Sequence, residues 1–151
     1  MITQLIAAFL GSIGFAIFLK MKGKQIFYAG IGGLITWYIY LVIFGMSQSD
    51  FISNLIAAFF VAIFADIMAR VNRAPSTIFL TAAAIPLIPG GKLYYAMYGI
   101  VSEDQQLFLE SGTSAAIIAL AISLGFVAYA IVKRYLTRIY KKPEKQMNEE
   151  N

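Results

Sequence analysis

The chain has 151 residues, of which 60% are hydrophobic and only 13% charged, with a formal net charge of +4 and a mean hydropathy of +0.74. An ordinary soluble domain carries roughly 25% charged residues, so this composition reads as a polytopic membrane protein, with room for one membrane domain and little else. The absence of cysteine and histidine excludes disulfides, thiolate chemistry and cysteine-ligated metals, and removes the commonest general base and metal ligand.

Five apolar stretches approach the roughly 20 residues that cross about 30 Å of hydrocarbon. The first, Ile2 to Leu19, has no basic residues before it and is expected to be a span, not a signal peptide. The loop Lys20–Gln25 leads to the second, Ile26 to Met46. Gly30, Gly32 and Gly33 lie inside it, but their spacing and apolar context do not make a dinucleotide-binding turn. Thr36, Trp37, Tyr38 and Tyr40 fall near its middle and read as packing. After Ser47–Asp50 comes the third span, Phe51 to Ala69, which holds Asp66, the only carboxylate inside a span. The loop Arg70–Pro75 precedes the fourth, Ser76 to about Val101, which is longer than a crossing needs. Ser102–Ser111 reads as a loop, and Gly112 to Val132 as the fifth span. The expected fold class is therefore an all-α membrane protein of five transmembrane segments with a broken fourth helix. Residues 1–132 form the bundle and 133–151 a basic tail that extends the last helix as far as Pro143. No internal repeat divides the chain.

Small residues recur at spacing four: Ala7 and Gly11, Ala29 and Gly33, Ala58 and Ala62, Ala115 and Ala119, Ala121 and Gly125. Such pairs let transmembrane backbones approach closely and read as helix packing.

Charge sets the expected sidedness, because lysine and arginine in short loops favour the cytoplasm. Eleven of the twelve basic residues fall in the first loop, the third loop and the tail, which lie on one side if there are five spans. Only Lys92 falls elsewhere, and the opposite loops hold Asp50, Glu103, Asp104 and Glu110. The N-terminus is thus expected outside and the C-terminus in the cytoplasm, in a plasma membrane. A bias explained by topology is no sign of a nucleic-acid partner.

The run Ala84-Ile85-Pro86-Leu87-Ile88-Pro89-Gly90-Gly91 carries most of the functional information. Each proline lacks an N–H and clashes with the preceding turn. In a bilayer, non-helical backbone survives only inside protein or beside a wet cavity, and broken helices of this kind form the substrate sites of secondary transporters. The second half-helix, starting at Gly90 or Gly91, would present free amides and a positive dipole end to an anion such as a solute carboxylate. Gly90 and Gly91 would allow close approach. Pro86, Pro89, Gly90 and Gly91 are therefore candidate substrate-binding residues. Tyr94 and Tyr95 join them as donors at the entrance, although with Tyr98 they also suit an interfacial belt. Lys92 could attract anions, or snorkel as lysines near helix ends do. Asp66 is a candidate for ion coupling, yet Arg70 four residues on suits an ion pair. No zinc-protease helix, phosphate loop, serine–histidine arrangement or pair of catalytic carboxylates can be assembled, so neither an enzyme nor a metal or other cofactor is expected.

From Arg73-Ala-Pro-Ser-Thr-Ile-Phe-Leu through Ile85-Pro-Leu-Ile-Pro-Gly-Gly-Lys-Leu-Tyr-Tyr-Ala-Met97 the chain resembles the threonine/serine exporter family. It is most similar to that family's small membrane half, the stand-alone type whose relatives include a proposed succinate exporter subunit. Pro75 corresponds to the family's loop proline, Pro86, Pro89 and Gly90 to its Pro-x-x-Pro-Gly core, and Leu93 and Tyr94 to the Leu-Tyr pair. The family often has glycine where Lys92 stands, and an acid at the place of Asp66. The resemblance covers nearly the whole chain except the tail. It implies a larger partner subunit, inverted relative to this chain, in a hetero-oligomeric exporter of threonine, serine or a dicarboxylate. A homo-oligomer is left open. The competing expectation is a membrane assembly or scaffold subunit that does not touch solute.

Overall fold

The computed structural model describes residues 1–149, with side chains as far as Arg138. Six α-helices make up the described chain: α1 (Ile2–Phe18), α2 (Lys24–Ser47), α3 (Asp50–Asn72), α4 (Ser76–Ala84), α5 (Gly90–Val101) and α6 (Gln105–Glu149). A 3-10 turn, Ile85–Leu87, joins α4 to α5, and the described residues contain no strand.

Three connections end their helices in the same way. Lys20, Arg73 and Glu103 adopt left-handed backbone at φ 57°, 49° and 58°. The residue after each reaches back to a carbonyl five positions earlier: Met21 to Ala16, Ala74 to Ala69 and Asp104 to Gly99. This is the Schellman arrangement, which satisfies carbonyls the helix end leaves open. At the first of them Met21 is buried, supplying the apolar contact that often accompanies the motif.

Alanine builds the core. Ala16, Ala29 and Met21 pack with Ala65, Ala69, Phe79 and Ala82 at one end, and Ala57, Ala58 and Val61 with Ala83 and Leu87 nearer the other. Without bulky side chains between them the backbones lie close, and glycine fills the tightest places. A Cβ on Gly33 would fall 1.8 Å from Ser12 Oγ, and one on Gly125 would fall 2.6 Å from the Leu55 carbonyl oxygen. The expected small-residue pairs Ala29–Gly33, Ala58–Ala62 and Ala121–Gly125 lie buried at these contacts. Ala7 and Gly11 are exposed instead, because the buried stripe of α1 runs through Ala8, Ser12 and Ala16, and on α6 Ala115 is buried but Ala119 is exposed.

Direction is set by side-chain contacts. Tyr40 in the second half of α2 bonds Asp50 at the start of α3, so these helices are antiparallel. Gly125 lies against Leu55 and Ala58, whereas Lys133 meets Asp66, so α6 runs parallel to α3. The α4–α5 pair therefore carries the chain back to the end at which α3 began. In that register α6 starts roughly three turns before the level of Asp50, at 1.5 Å per residue, and α5 packs on this overhanging part.

By length and composition, α2, α3 and α6 as far as Arg138 are each sufficient to cross a membrane, and α4 with its 3-10 turn and α5 forms a fourth candidate bent by 58°. α1 is apolar but has 17 residues, about 26 Å of helix, at the short limit for a crossing. Two boundaries differ from expectation. α6 begins at Gln105 instead of Gly112, because Asp104 accepts a bond from the Leu107 amide and caps it; polarity there had suggested a loop. Its backbone also continues past Pro143 to Glu149, since a proline inside a helix can bend it without ending it.

Candidate functional site

The break is built by Pro86 and Pro89 and held by Leu87. After the 3-10 turn, Ile88 is extended at φ −63° and ψ 125°, as a residue before proline must be. Its amide bonds the Ile85 carbonyl at 3.2 Å, and the Gly90 amide bonds the Ile88 carbonyl at 2.7 Å. Leu87 is 3% exposed and packs among Ala57, Ala58, Val61 and Ala83, which fixes the turn in the bundle. α5 then starts without a side-chain cap. The Leu93 amide reaches the Pro89 carbonyl, but the amides of Gly91 and Lys92 have no acceptor among the described residues.

These amides border an open cavity of about 560 Å³ between α2, the start of α3, the break, α5 and the overhanging part of α6. Pro86, Pro89, Gly90, Gly91 and Tyr95 line it. Tyr94 does not: it turns outward, 64% exposed, and stacks on Tyr98 at 6.4 Å. Neighbouring helical positions lie about 100° apart, so Tyr94 and Tyr95 cannot share one wall of the cavity. A Cβ at Gly90 or Gly91 would meet nothing within 4 Å. Packing within the chain does not require glycine at either position.

The other walls were not anticipated from sequence. Trp37 and Tyr40 stack at 4.7 Å with 23° between their planes, and the Tyr40 hydroxyl donates to Asp50 Oδ1 at 2.8 Å. Asn54, 2% exposed, donates from Nδ2 to the Asp50 carbonyl at 2.8 Å. Glu110 and Ser111 face the cavity from α6. The available signal was the spacing of Asp50 and Asn54, one turn apart at the head of an apolar helix. Electrostatically the cavity is mixed: uncapped amides and Lys92 on the α5 side, with Asp50 and Glu110 as the acids.

Asp66 stands elsewhere, 16 positions along α3 and thus about 24 Å from Asp50. Its side chain is 15% exposed and pairs with Arg70 at 3.1 Å and with Lys133 of α6. The pair with Arg70 was expected, the one with Lys133 was not. Together with Tyr129 and Thr137 these groups line a separate cavity of about 430 Å³. The arrangement ties α3 to α6 at the end opposite the break.

The sequence matches the family described as Threonine/Serine exporter, ThrE, over residues 4–132. No curated protein matches the chain, and no solved structure does.

Proposed function

The chain belongs to the threonine/serine exporter family, a family of membrane transporters and not of enzymes, and on that premise we propose that the cavity at the broken helix is the solute site of an exporter for small amino acids. One observation carries this reading: donors for an anion and acceptors for a cation face the same cavity. The amides of Gly91 and Lys92, with the Lys92 ammonium, suit a carboxylate at a helix N-terminus. Asp50 and Glu110 suit an ammonium group. A zwitterion such as threonine or serine satisfies both sets. A dicarboxylate would leave Asp50 and Glu110 as two like charges, so the amino acid is the better fit.

The wider reading keeps five crossings, counting α1 and the α4–α5 pair, in a plasma membrane with the N-terminus outside. It also keeps a larger subunit of the same family as partner and an ion gradient as driving force. Parallel α3 and α6, with their basic ends together, support the odd number of crossings.

The test uses the two glycines, because their surroundings leave room for a methyl group. Gly90→Ala and Gly91→Ala should insert and fold like the parent chain. Threonine efflux from cells carrying both subunits should nevertheless fall by about tenfold or more, the equivalent of 1.4 kcal/mol in transition-state or binding free energy. Unchanged efflux in both variants would leave the assembly-subunit reading in place of the solute site.

A further inference from the structure

Resting on the reading of this cavity as the solute site, we infer that Trp37 is a solute-responsive partition. Its indole separates the cavity from a second one, turns when solute enters, and gives its N–H to a solute oxygen.

The second cavity, of about 280 Å³, lies between α1, α2 and the 3-10 turn. Trp37 and Pro86 line both cavities, so these two residues are shared by their walls. The proline ring is fixed in the backbone, whereas the indole turns about two side-chain torsions. Its Nε1 is covered and has no partner among the described residues, although buried polar groups are as a rule hydrogen-bonded. An unpaired buried donor is unfavourable, so other contacts hold the ring. The stack on Tyr40 does so, and Tyr40 is itself held by Asp50.

That chain of contacts ends at a carboxylate assigned above to the solute ammonium. A solute bound at Asp50 competes for the oxygen that Tyr40 uses, which loosens Tyr40 and with it the stack on Trp37. The freed indole gains a hydrogen bond by turning toward the solute carboxylate, a charged acceptor and hence a strong one. The same turn joins the two cavities. Trp37 thereby couples occupancy of the site to opening of a path on its α1 side.

Trp37 is the one tryptophan of the chain, so fluorescence excited at the red edge of the protein absorption band, where the nine tyrosines do not absorb, reads this residue alone. The purified chain in protein-free lipid vesicles would be titrated with threonine while binding is followed separately by calorimetry. Emission maximum and acrylamide quenching should change and saturate at the calorimetric midpoint. Trp37→Phe keeps an aromatic ring on Tyr40 but removes the donor. It should bind threonine about tenfold more weakly, as expected for one hydrogen bond to a charged group, with its thermal midpoint retained. Calorimetric binding without a change in emission overturns the inference and leaves the solute site standing, as does unaltered affinity in Trp37→Phe. Absence of threonine binding both by heat and by equilibrium dialysis with labelled threonine rejects the solute site in this chain and the role of Trp37 with it.

Discussion

A carboxylate within an apolar helix is stable only where opposite charge or hydrogen bonds replace its water, and Asp66 has both Arg70 and Lys133. The contact with Lys133 joins residues 67 positions apart, which makes Asp66 a tie between α3 and α6. Asp66→Asn should therefore lower the thermal midpoint, by an amount equivalent to about 1 kcal/mol for a partly exposed pair. Threonine efflux per folded molecule and its pH profile should stay as in the parent chain, which efflux normalised to folded protein will show. A shifted profile would instead make Asp66 the coupling acid. The i,i+4 pair with Arg70 was legible in the sequence because helical spacing alone brings such residues together. Lys133, Trp37, Asp50 and Glu110 were not, since each gains its role only where other helices complete the ion pair or the cavity, and no local pattern encodes which helices meet.

Among the elements, the broken helix was the most legible. Two prolines and two glycines in an apolar run leave the backbone few alternatives, and α5 begins at Gly90, within the expected interval. Less could be read about α6, whose first seven residues are too polar for a hydropathy argument yet are helical behind the Asp104 cap. Those residues supply Leu107 and Glu110 to the cavity, so the misplaced boundary concealed one wall of the site. The break itself can be tested by restoring regularity. Pro86→Ala with Pro89→Ala returns two amides to the backbone and removes the clash with the preceding turn, favouring one continuous helix from α4 into α5. The double variant should insert normally and lose threonine efflux by about tenfold or more, because the Gly91 and Lys92 amides would then bond within the helix. A protease-accessibility pattern like the parent's, together with parental efflux, would show that the uncapped amides do not hold the solute.

At the scale of the molecule, the basic residues are sorted to one end by packing as well as by sequence. Met21, beside Lys20 and Lys22, shares a core with Ala69, beside Arg70, and Lys133 meets Asp66 one turn earlier on α3. The first loop, the third loop and the start of the tail therefore lie together, independently of any assumption about the membrane. Asp50, Glu103, Asp104 and Glu110 belong to the other end. Translocating a lysine or arginine is unfavourable by roughly 2.5–3.5 kcal/mol per residue at a helix centre, and the cluster combines several of them. Reporter fusions in the loop at Lys22 and after Val132 should accordingly both report cytoplasm, whereas a fusion in the loop at Glu103 should report the outside. The two cytoplasmic fusions test different parts of the inference. A cytoplasmic signal at Lys22 with an external one after Val132 would make the α4–α5 pair re-entrant and overturn the five-crossing reading. External signals from both would keep the fold but invert it, and the cavity would then open to the cytoplasm.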